Sequence, residues 1–530
     1  MRATAAIERF RGSPFRRRLL FLALLAALSL LPVLLLAPLF NAPFERDQGL
    51  YGVIARGWIQ GSVPYRDLWD NKGPLLFLWY VAAFKLLGQS VVAPRLLAAL
   101  GTAAAVPFVW DTARILLGPR KGILAALLFG VAFGNPFLQA NANAEILMIW
   151  PLVAGFWAFT RGGLGGNRLW FVLAGILTAF AGLTKQAAAG PLVGYMLWLG
   201  VLAARHPAER RRHVQSGVLL VGGTLLGLAP FVAYFAAQGA LYDFFYATVK
   251  FNLLFSGQNP LILKIIPPLL LDPLPLFGGL VLWLLAVVGG VRLWRRRDRK
   301  AGLILVFAVF SELAAQSMGK VSAHYNVGLL PAAAILGAVG IDVVLDSWRL
   351  GQRRLGQVVI GCAVISVGLC AALYAWPSTD DRFLAQYSFR DYAERSLEAP
   401  AIAQEVDALT GPNDYVYEFG RQSDIEFLAD RRPASRWVHA RAYGIDPTML
   451  DEVLRDLNAR QPRLVLLTYE CAPMSHDFAG CENGPPAELK SYLDSHYVYA
   501  GQVDYASFYL RISPASSALA SAPGGTGGPP

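Results

Sequence analysis

The sequence predicts a polytopic α-helical membrane protein with about eleven transmembrane helices and a C-terminal extracytoplasmic α/β domain. The chain of 530 residues is 55% hydrophobic and only 16% charged, with a mean hydropathy of +0.43, unlike an ordinary soluble protein of this length. Uncharged runs of about 20 residues, enough to cross a bilayer as a helix, recur from Leu19 to Trp376. Beyond Trp376 the charge density is that of a soluble protein, and short apolar strands alternate with amphipathic helices.

The apolar runs must be helical, because the bilayer core offers no water to backbone N–H and C=O groups. The predicted spans are residues 19–40, 91–117, 122–138, 144–160, 168–184, 187–204, 215–237, 273–293, 301–317, 325–346 and 357–376. Between the first two spans, the residues after Asp47 suit an amphipathic helix along the membrane interface, with aromatic side chains at headgroup depth. The run LLFLWYVAAFKLLG (75–88) predicts a shorter, half-buried interfacial helix.

The predicted C-terminal elements alternate between strand and helix. They are a strand over 414–420, a helix from Ser423 or Asp424, a helix over 447–459, a buried strand over 464–470, a helix over 486–496 and strands over 497–503 and 505–512. The predicted parts of the chain are a basic cytoplasmic N-terminus (1–18), a transmembrane domain (19–376) with its first external loop (41–90), the α/β domain (377–514) and a tail (515–530). The tail is low-complexity and expected to be disordered.

The net charge of +11 indicates membrane topology rather than nucleic-acid binding, which needs a basic soluble face with aromatic platforms. The basic residues cluster in short loops at alternate helix ends, as the positive-inside rule describes. These clusters are Arg16–Arg18, Arg120 with Lys121, Arg161 with Arg168, Arg210–Arg212, Arg295–Lys300 and Arg349 with Arg353 and Arg354. We therefore predict a multi-pass plasma-membrane protein with a cytoplasmic N-terminus, retained as an anchor, and with the first loop and the α/β domain outside.

The first external loop concentrates charge beside hydrocarbon, where ionisable groups are costly and are functional candidates by default. It carries four carboxylates and a lysine: Glu45, Asp47, Asp67, Asp70 and Lys72. A carboxylate can take a proton from an alcohol, and a lysine can hold a departing phosphate. The alternative is that these charges only pair with one another and fold the loop.

Further candidates stand at external helix ends. Glu145 begins the next external helix, and Lys185 and Lys320 are isolated lysines. Each lysine either extends to lipid headgroups or contributes to an anion pocket. Cys471 and Cys481 can close a short loop in an oxidising compartment, and no cysteine pair has metal-ligand spacing together with histidines.

Six short motifs, in order, carry a family resemblance. They are DQGLYG (47–52), VPYRD (63–67), NKGP (71–74), NANAEIL (141–147), GLTKQAA (182–188) and SAHYNVGLLP (322–331). Over residues 19 to about 346 the chain resembles the membrane glycosyltransferases of the GT-C class, in particular the group of dolichyl-phosphate-mannose protein mannosyltransferases and bacterial lipid A aminoarabinose transferases. The sequence departs from that pattern at Gln48, Leu50 and Gly73, where relatives carry an acid, an arginine and a proline.

The resemblance implies an inverting transfer of a sugar from a polyprenyl-monophosphate carrier to a hydroxyl outside the membrane. Asp47 would be the base, and Lys72, Lys185, Lys320 and His324 would bind the donor phosphate, with Glu45, Tyr51, Asp67, Asp70, Glu145 and Tyr325 in support. No metal is required, because a phosphate with a second pKa of about 6 leaves without a general acid, although the acids can hold a divalent ion. The implied partners are the lipid-linked donor, a hydroxyl on a protein, lipid or cell-envelope glycan, and the bilayer, with no nucleic acid.

Two other functions remain. A transporter or flippase would place ionisable residues at mid-span, where only Glu312 stands, and would show inverted repeats. A scaffold or receptor would need no acid and lysine at the interface.

Overall fold

The computed structural model describes residues 14–139, 141–164, 167–259, 261–265, 270, 274–317, 319, 322–375, 378–387, 390–468 and 485–512. Lys320, Cys471, Cys481 and the tail 515–530, all subjects of predictions above, lie outside these residues. The chain forms two compact units. The first contains Met1–Ala42, Lys72–Leu241 and Thr248–Arg390, and the second contains Pro43–Asn71, Tyr242–Ala247 and Asp391–Pro530.

The first unit is helical. Its principal helices are α1 (Pro14–Leu36), α3 (Pro74–Leu87), α4 (Val92–Leu117), α5 (Pro119–Ala132), α6 (Ala144–Leu147), α7 (Ile149–Gly163), α8 (Leu169–Thr184), α9 (Gly190–Arg205), α10 (Arg210–Ala237), α12 (Phe251–Gln258), α13 (Leu261–Ile265), α14 (Leu274–Gly278), α15 (Leu280–Arg296), α16 (Arg299–Gln316), α17 (Leu330–Arg349), α18 (Arg353–Tyr374) and α19 (Thr379–Leu384). Each of the eleven predicted spans overlaps one of these helices, so the predicted polytopic helical architecture is confirmed.

Fewer than eleven helices have the length and composition of a full span. Within the described residues, seven helical segments are long and apolar enough to cross a membrane: Phe15–Leu39, Val92–Leu117, Ala144–Gly163, Gln186–Arg205, Pro207–Ala237, His324–Arg349 and Arg353–Tyr374. Three shorter apolar helices cover Pro74–Leu87, Leu169–Thr184 and Gly302–Gln316. The predicted span 122–138, for example, is not one continuous helix, because α5 ends at Ala132 and Pro136 begins a separate 3-10 turn.

Glycines allow close helix crossings in this unit. A Cβ added at Gly175 of α8 would lie 2.1 Å from the Leu220 carbonyl oxygen of α10, and one at Gly289 of α15 would lie 1.9 Å from the Leu336 carbonyl oxygen of α17. Between membrane helices, where burial of apolar surface supplies little association energy, such backbone approach is a principal source of packing.

The second unit contains a five-stranded mixed sheet in the order β2-β1-β3-β5-β4. Its elements are α2 (Arg46–Ile59), α11 (Leu241–Phe245), α20 (Arg390–Leu409), β1 (Tyr415–Gly420), α21 (Ser423–Leu428), β2 (Arg432–Pro433), α22 (Met449–Arg460), β3 (Leu464–Thr468), α23 (Ala487–His496), β4 (Tyr497–Val503) and β5 (Ala506–Arg511). Strand β1 is parallel to β2 and β3, while β5 is antiparallel to β3 and β4. The predicted α/β domain is confirmed, with each predicted strand and helix within a few residues of its observed place.

Helix α2 exists as predicted, but its expected position along the lipid interface is wrong. Residues 48–57 are all buried, and Tyr51 is 2% exposed, so its ring lies within protein rather than among headgroups. Two glycines on one face explain this packing. A Cβ at Gly49 would lie 2.3 Å from the Asp424 Cα, and one at Gly52 would lie 2.7 Å from the Phe427 ring, so only glycines allow α2 to approach α21 this closely.

Candidate functional site

A buried acid–base pair lies at one end of the first unit. The Lys185 Nζ lies 2.5 Å from the Glu145 Oε1, and the two side chains are 12% and 4% exposed. Helix α8 ends at Thr184, and Lys185 adopts an extended backbone before the next 3-10 turn, which directs the chain into this site. Glu145 lies in the first turn of α6, where exposed amide groups favour a carboxylate.

His324 and Tyr325 complete this cluster. The His324 Nε2 lies 3.9 Å from the Glu145 Oε1, and the Lys185 Nζ lies 4.7 Å from the centroid of the Tyr325 ring. Both residues belong to the 3-10 segment Ala323–Leu329, which leads directly into α17. The structure therefore brings together Glu145, Lys185, His324 and Tyr325, four of the predicted site residues. We call them the helix-end cluster.

Lys72 lies next to the segment that carries Lys185. A Cβ at Gly73 would lie 2.0 Å from the Leu183 carbonyl oxygen, so the chain at Lys72–Pro74 touches the end of α8. The Trp79 Nε1 donates a 3.3 Å hydrogen bond to the Thr184 Oγ1 of the same helix end. The Lys72 side chain is itself buried, at 8% exposure.

Helix α3 also reaches the segment before Glu145. The Tyr80 hydroxyl donates a 2.8 Å hydrogen bond to the Ala142 carbonyl. Lys72, at the start of α3, is thereby connected through protein contacts to both the Glu145 and the Lys185 segments. Two lysines and a histidine at buried helix ends are chemically suited to hold a phosphate, since cationic groups form strong charge-assisted hydrogen bonds in a water-poor site.

Asp47, the predicted base, belongs to the second unit. Its Oδ1 lies 3.1 Å from the Arg441 NH2, and its side chain is 26% exposed. The Arg441 NH1 donates a 3.3 Å hydrogen bond to the Asn71 Oδ1. Arg441 lies almost 400 residues from Asp47 in sequence and belongs to none of the six motifs, so it was not identified from the sequence.

Glu45 and Gln48 form a local pair at the start of α2. Glu45 is the N-cap residue, and the Gln48 Nε2 donates a 3.0 Å hydrogen bond to the Glu45 Oε1. Both side chains are almost fully buried. A glutamine therefore suits position 48 better than a second acid, because two carboxylates this close would repel each other.

Asp67 and Asp70, the other predicted acids of the loop, accept hydrogen bonds from backbone N–H groups of nearby residues. Asp67 accepts hydrogen bonds of 2.8 Å from the Val63 backbone N–H and from the Arg66 guanidinium. Partial burial raises the pKa of Asp67, but these hydrogen bonds and the Arg66 charge outweigh burial and leave the pKa below its usual value. Asp70 is 1% exposed and accepts a 2.7 Å hydrogen bond from the Asn71 backbone N–H. The contacts of Asp67 fit the alternative given above, in which the charges of the loop pair with one another and stabilise its fold.

Three buried acids of the second unit escaped sequence reasoning: Glu418 on β1, and Asp424 and Glu426 on α21. Burial, partly offset by hydrogen bonds from Thr468 and the Gln422 backbone, raises the pKa of Glu418 to about 8. Burial likewise raises the pKa of Asp424 to about 8 and holds that of Glu426 well above its usual value. No sequence pattern marked these acids as buried: Asp424 and Glu426 stand at a predicted helix start, where acids are usually exposed, and Glu418 lies in the predicted strand 414–420.

The residues that the structure describes contain no group of three histidine, cysteine, aspartate or glutamate side chains placed to hold a metal ion. Cys362 and Cys370 of α18 are free thiols. The mid-span acid Glu312 accepts a 2.6 Å hydrogen bond from the Gln316 side chain one turn further along α16.

One protein-family model matches part of the helical unit. Residues 72–235 match the family model described as dolichyl-phosphate-mannose-protein mannosyltransferase. This range includes Lys72, Glu145 and Lys185. No curated protein matches the sequence.

Solved structures extend the likeness to almost the whole chain. The fold is similar to that of ArnT from Cupriavidus metallidurans bound to undecaprenyl phosphate, with a TM-score of 0.63 and 15% identity over 93% of this chain and 98% of that chain. The apo state of that protein gives a TM-score of 0.60 and 15% identity over 94% and 98% of the two chains. The archaeal oligosaccharyltransferase AglB from Archaeoglobus fulgidus, in complex with an inhibitory peptide and a dolichol-phosphate, gives a TM-score of 0.51 and 12% identity over 86% and 70%.

Proposed function

We propose that this chain is a GT-C membrane glycosyltransferase, an inverting enzyme that uses polyprenyl-phosphate donors and acts outside the cytoplasmic membrane. The family match over residues 72–235 and the fold shared with ArnT support this proposal. It transfers one hexosyl or pentosyl group from a polyprenyl monophosphate to a hydroxyl of a protein, lipid or cell-envelope glycan. The N-terminus is cytoplasmic and the second unit extracytoplasmic in this proposal, which rests on the distribution of basic residues.

The observation that carries the proposal is the helix-end cluster. A phosphate entering it would compete with Glu145 for Lys185, and His324 lies within reach of the same carboxylate. Lys72, and Lys320 outside the described residues, would add positive charge. Buried cations of this kind stabilise the negative charge that grows on a leaving phosphate, which is commonly the largest single catalytic contribution.

The chemical step balances without any further reactant. The acceptor hydroxyl gives its proton to the Asp47 carboxylate, and its oxygen forms a bond to the anomeric carbon of the sugar. The bond from that carbon to the phosphate oxygen breaks, and its electron pair remains on the phosphate, with inversion at carbon. No metal takes part in this proposed step, because the departing phosphate is a stable anion at neutral pH.

The experiment is a donor panel. Purified protein in lipid nanodiscs is incubated with membrane extract and with radiolabelled undecaprenyl-phosphate mannose, glucose and arabinose in turn. The proposal predicts label transfer from at least one donor, and a strong loss in the Lys72→Ala variant at subsaturating donor. Transfer that is unchanged in Lys72→Ala would remove Lys72 from donor binding. In a parallel assay with sealed proteoliposomes, label that crosses the membrane still attached to its carrier would favour a flippase.

A further inference from the structure

Arg441 joins the two ends of the first-loop segment of the second unit. Its NH2 lies 3.1 Å from the Asp47 Oδ1 at the start of α2, and its NH1 lies 3.3 Å from the Asn71 Oδ1 at the end of the segment. The Arg441 side chain is only 11% exposed. A guanidinium can bridge two acceptors in this way because its N–H groups form a rigid planar fork, whereas a lysine is a single point charge.

The part of the chain that carries Arg441 is firmly held. Its backbone N–H donates a 2.9 Å hydrogen bond to the Nδ1 of His439, which is 1% exposed. Two residues before His439, the Trp437 ring packs against the Trp69 ring with centroids 4.7 Å apart. The Trp69 backbone N–H donates a 2.8 Å hydrogen bond to the Arg436 carbonyl. The loop and the C-terminal part of the unit are thus also joined by contacts of Trp69, close to the Arg441 contact.

The histidine that accepts the Arg441 backbone N–H is uncharged. His439 is buried, and burial together with the charges of Arg441 and Arg421 lowers its pKa well below the usual range, so its ring stays neutral and accepts the Arg441 N–H. Arg441 is thus a cation within hydrogen-bond distance of Asp47, held at its backbone by an uncharged histidine.

We propose that Arg441 is a positioning residue for the reaction: it fixes the Asp47 carboxylate in one orientation and sets its place relative to Asn71. This inference rests on the proposed function, in which Asp47 accepts the acceptor proton. It assigns to the C-terminal part of the chain a direct role in preparing the base, since residue 441 lies far outside the matched range 72–235.

The test compares Arg441→Gln and Arg441→Lys with the matched control Arg455→Gln, which removes an exposed arginine on α22. With the radiolabelled donor that gives transfer in the panel, Arg441→Gln is expected to lower kcat by about 10- to 100-fold, as for a misplaced catalytic group. The KM for the donor should change less than twofold. Arg441→Lys should restore only part of kcat, because a single ammonium group cannot bridge Asp47 and Asn71 as the guanidinium does, and the control should match the wild type.

A second readout needs no substrate. Hydrogen–deuterium exchange of the peptides that cover residues 43–50 and 69–71 should accelerate in Arg441→Gln and stay at the wild-type rate in Arg455→Gln. Unchanged exchange in these peptides would overturn the proposal, as would a wild-type kcat in Arg441→Gln.

The two proposals fail in different ways. If Asp47→Asn is inactive while Arg441→Gln behaves as wild type, the positioning inference is wrong and the proposed function stands. If Asp47→Asn is fully active, the base assignment itself is wrong. Should Arg441→Gln fail to fold, the exchange rates and the kcat of Arg441→Lys decide the question: wild-type values of both would overturn the positioning inference.

Discussion

Gly73 is the position at which a single methyl group should disturb the helix-end cluster most. Its φ of −71° and ψ of 152° suit alanine, so a backbone argument alone predicts that Gly73→Ala stabilises the protein by about 0.4 to 1 kcal/mol. The surroundings predict the opposite. The added Cβ would lie 2.0 Å from the Leu183 carbonyl oxygen and 2.5 Å from the Leu183 carbonyl carbon.

The size of the effect follows from this contact. Real Cβ atoms do not approach other heavy atoms closer than about 3 Å, so the Lys72 segment and the end of α8 must separate by roughly 1 Å, and overpacking of this kind costs about 1 to 3 kcal/mol. Because Lys72 and Lys185 flank the contact, the same displacement moves both lysines, and a shift of about 1 Å in a catalytic group can cost about 100-fold in rate.

The assay combines thermal unfolding in detergent with radiolabelled donor transfer. Gly200→Ala is the matched control, because Gly200 lies inside α9 with no heavy atom within 4 Å of the added Cβ. That change should be neutral or stabilising by up to about 1 kcal/mol. A Gly73→Ala protein with wild-type melting temperature and wild-type transfer would refute the placement of Lys72 beside α8.

Two further predictions concern each unit separately. In the first unit, Lys185→Met should raise the donor KM by about tenfold or more, because hydrogen bonds to charged groups contribute about 1.5 to 3 kcal/mol. If Lys185 serves only to pair with Glu145, the double variant Lys185→Met with Glu145→Gln will instead recover the wild-type donor KM. In the second unit, the folded-state pKa values of Glu418 and Asp424, about 8, exceed their usual values of 4.5 and 3.8. The folded state then binds more protons than the unfolded state between about pH 4 and 8, so stability is present at low pH and lost as the pH rises through 8. Chemical unfolding of the full chain at pH 6 and pH 8, followed by a hydrogen–deuterium exchange pulse at one common pH on the peptides over residues 415–428, should show greater stability of this unit at pH 6, and Glu418→Gln should reduce the difference. Equal stability at both pH values would contradict the raised pKa values of the buried acids.

The sequence predicted those parts of the fold that depend on local pattern. Long apolar runs identified the helices of the first unit, and the fully apolar run LVLLT identified β3, which is buried on both faces. Helix α2 shows the limit of such patterns. Its helical character was readable, but its partner α21 lies more than 370 residues away, and the glycines that mark their contact look like loop glycines.

The same limit applies to the candidate site: some of its residues could be predicted from the sequence, but their contacts could not. Position at external helix ends identified Glu145 and Lys185, whereas His324 and Tyr325 became candidates only through the family resemblance. The identity of their contacts, such as Lys185 with Glu145, required coordinates. Arg441 had no local signal, since an arginine in a soluble domain is usually a solvated surface residue. Gly73 was visible only as a departure from a family pattern, and its close approach to Leu183 now gives that departure a physical reason.

The central claim is that the Asp47 carboxylate takes the acceptor proton during sugar transfer. The most direct measurement is single-turnover transfer from the active radiolabelled undecaprenyl-phosphate sugar by purified Asp47→Asn, compared with wild type at equal amounts of folded protein. The account predicts that Asp47→Asn still binds the donor and melts at a similar temperature but forms no labelled product. Product formation at the wild-type rate would contradict it.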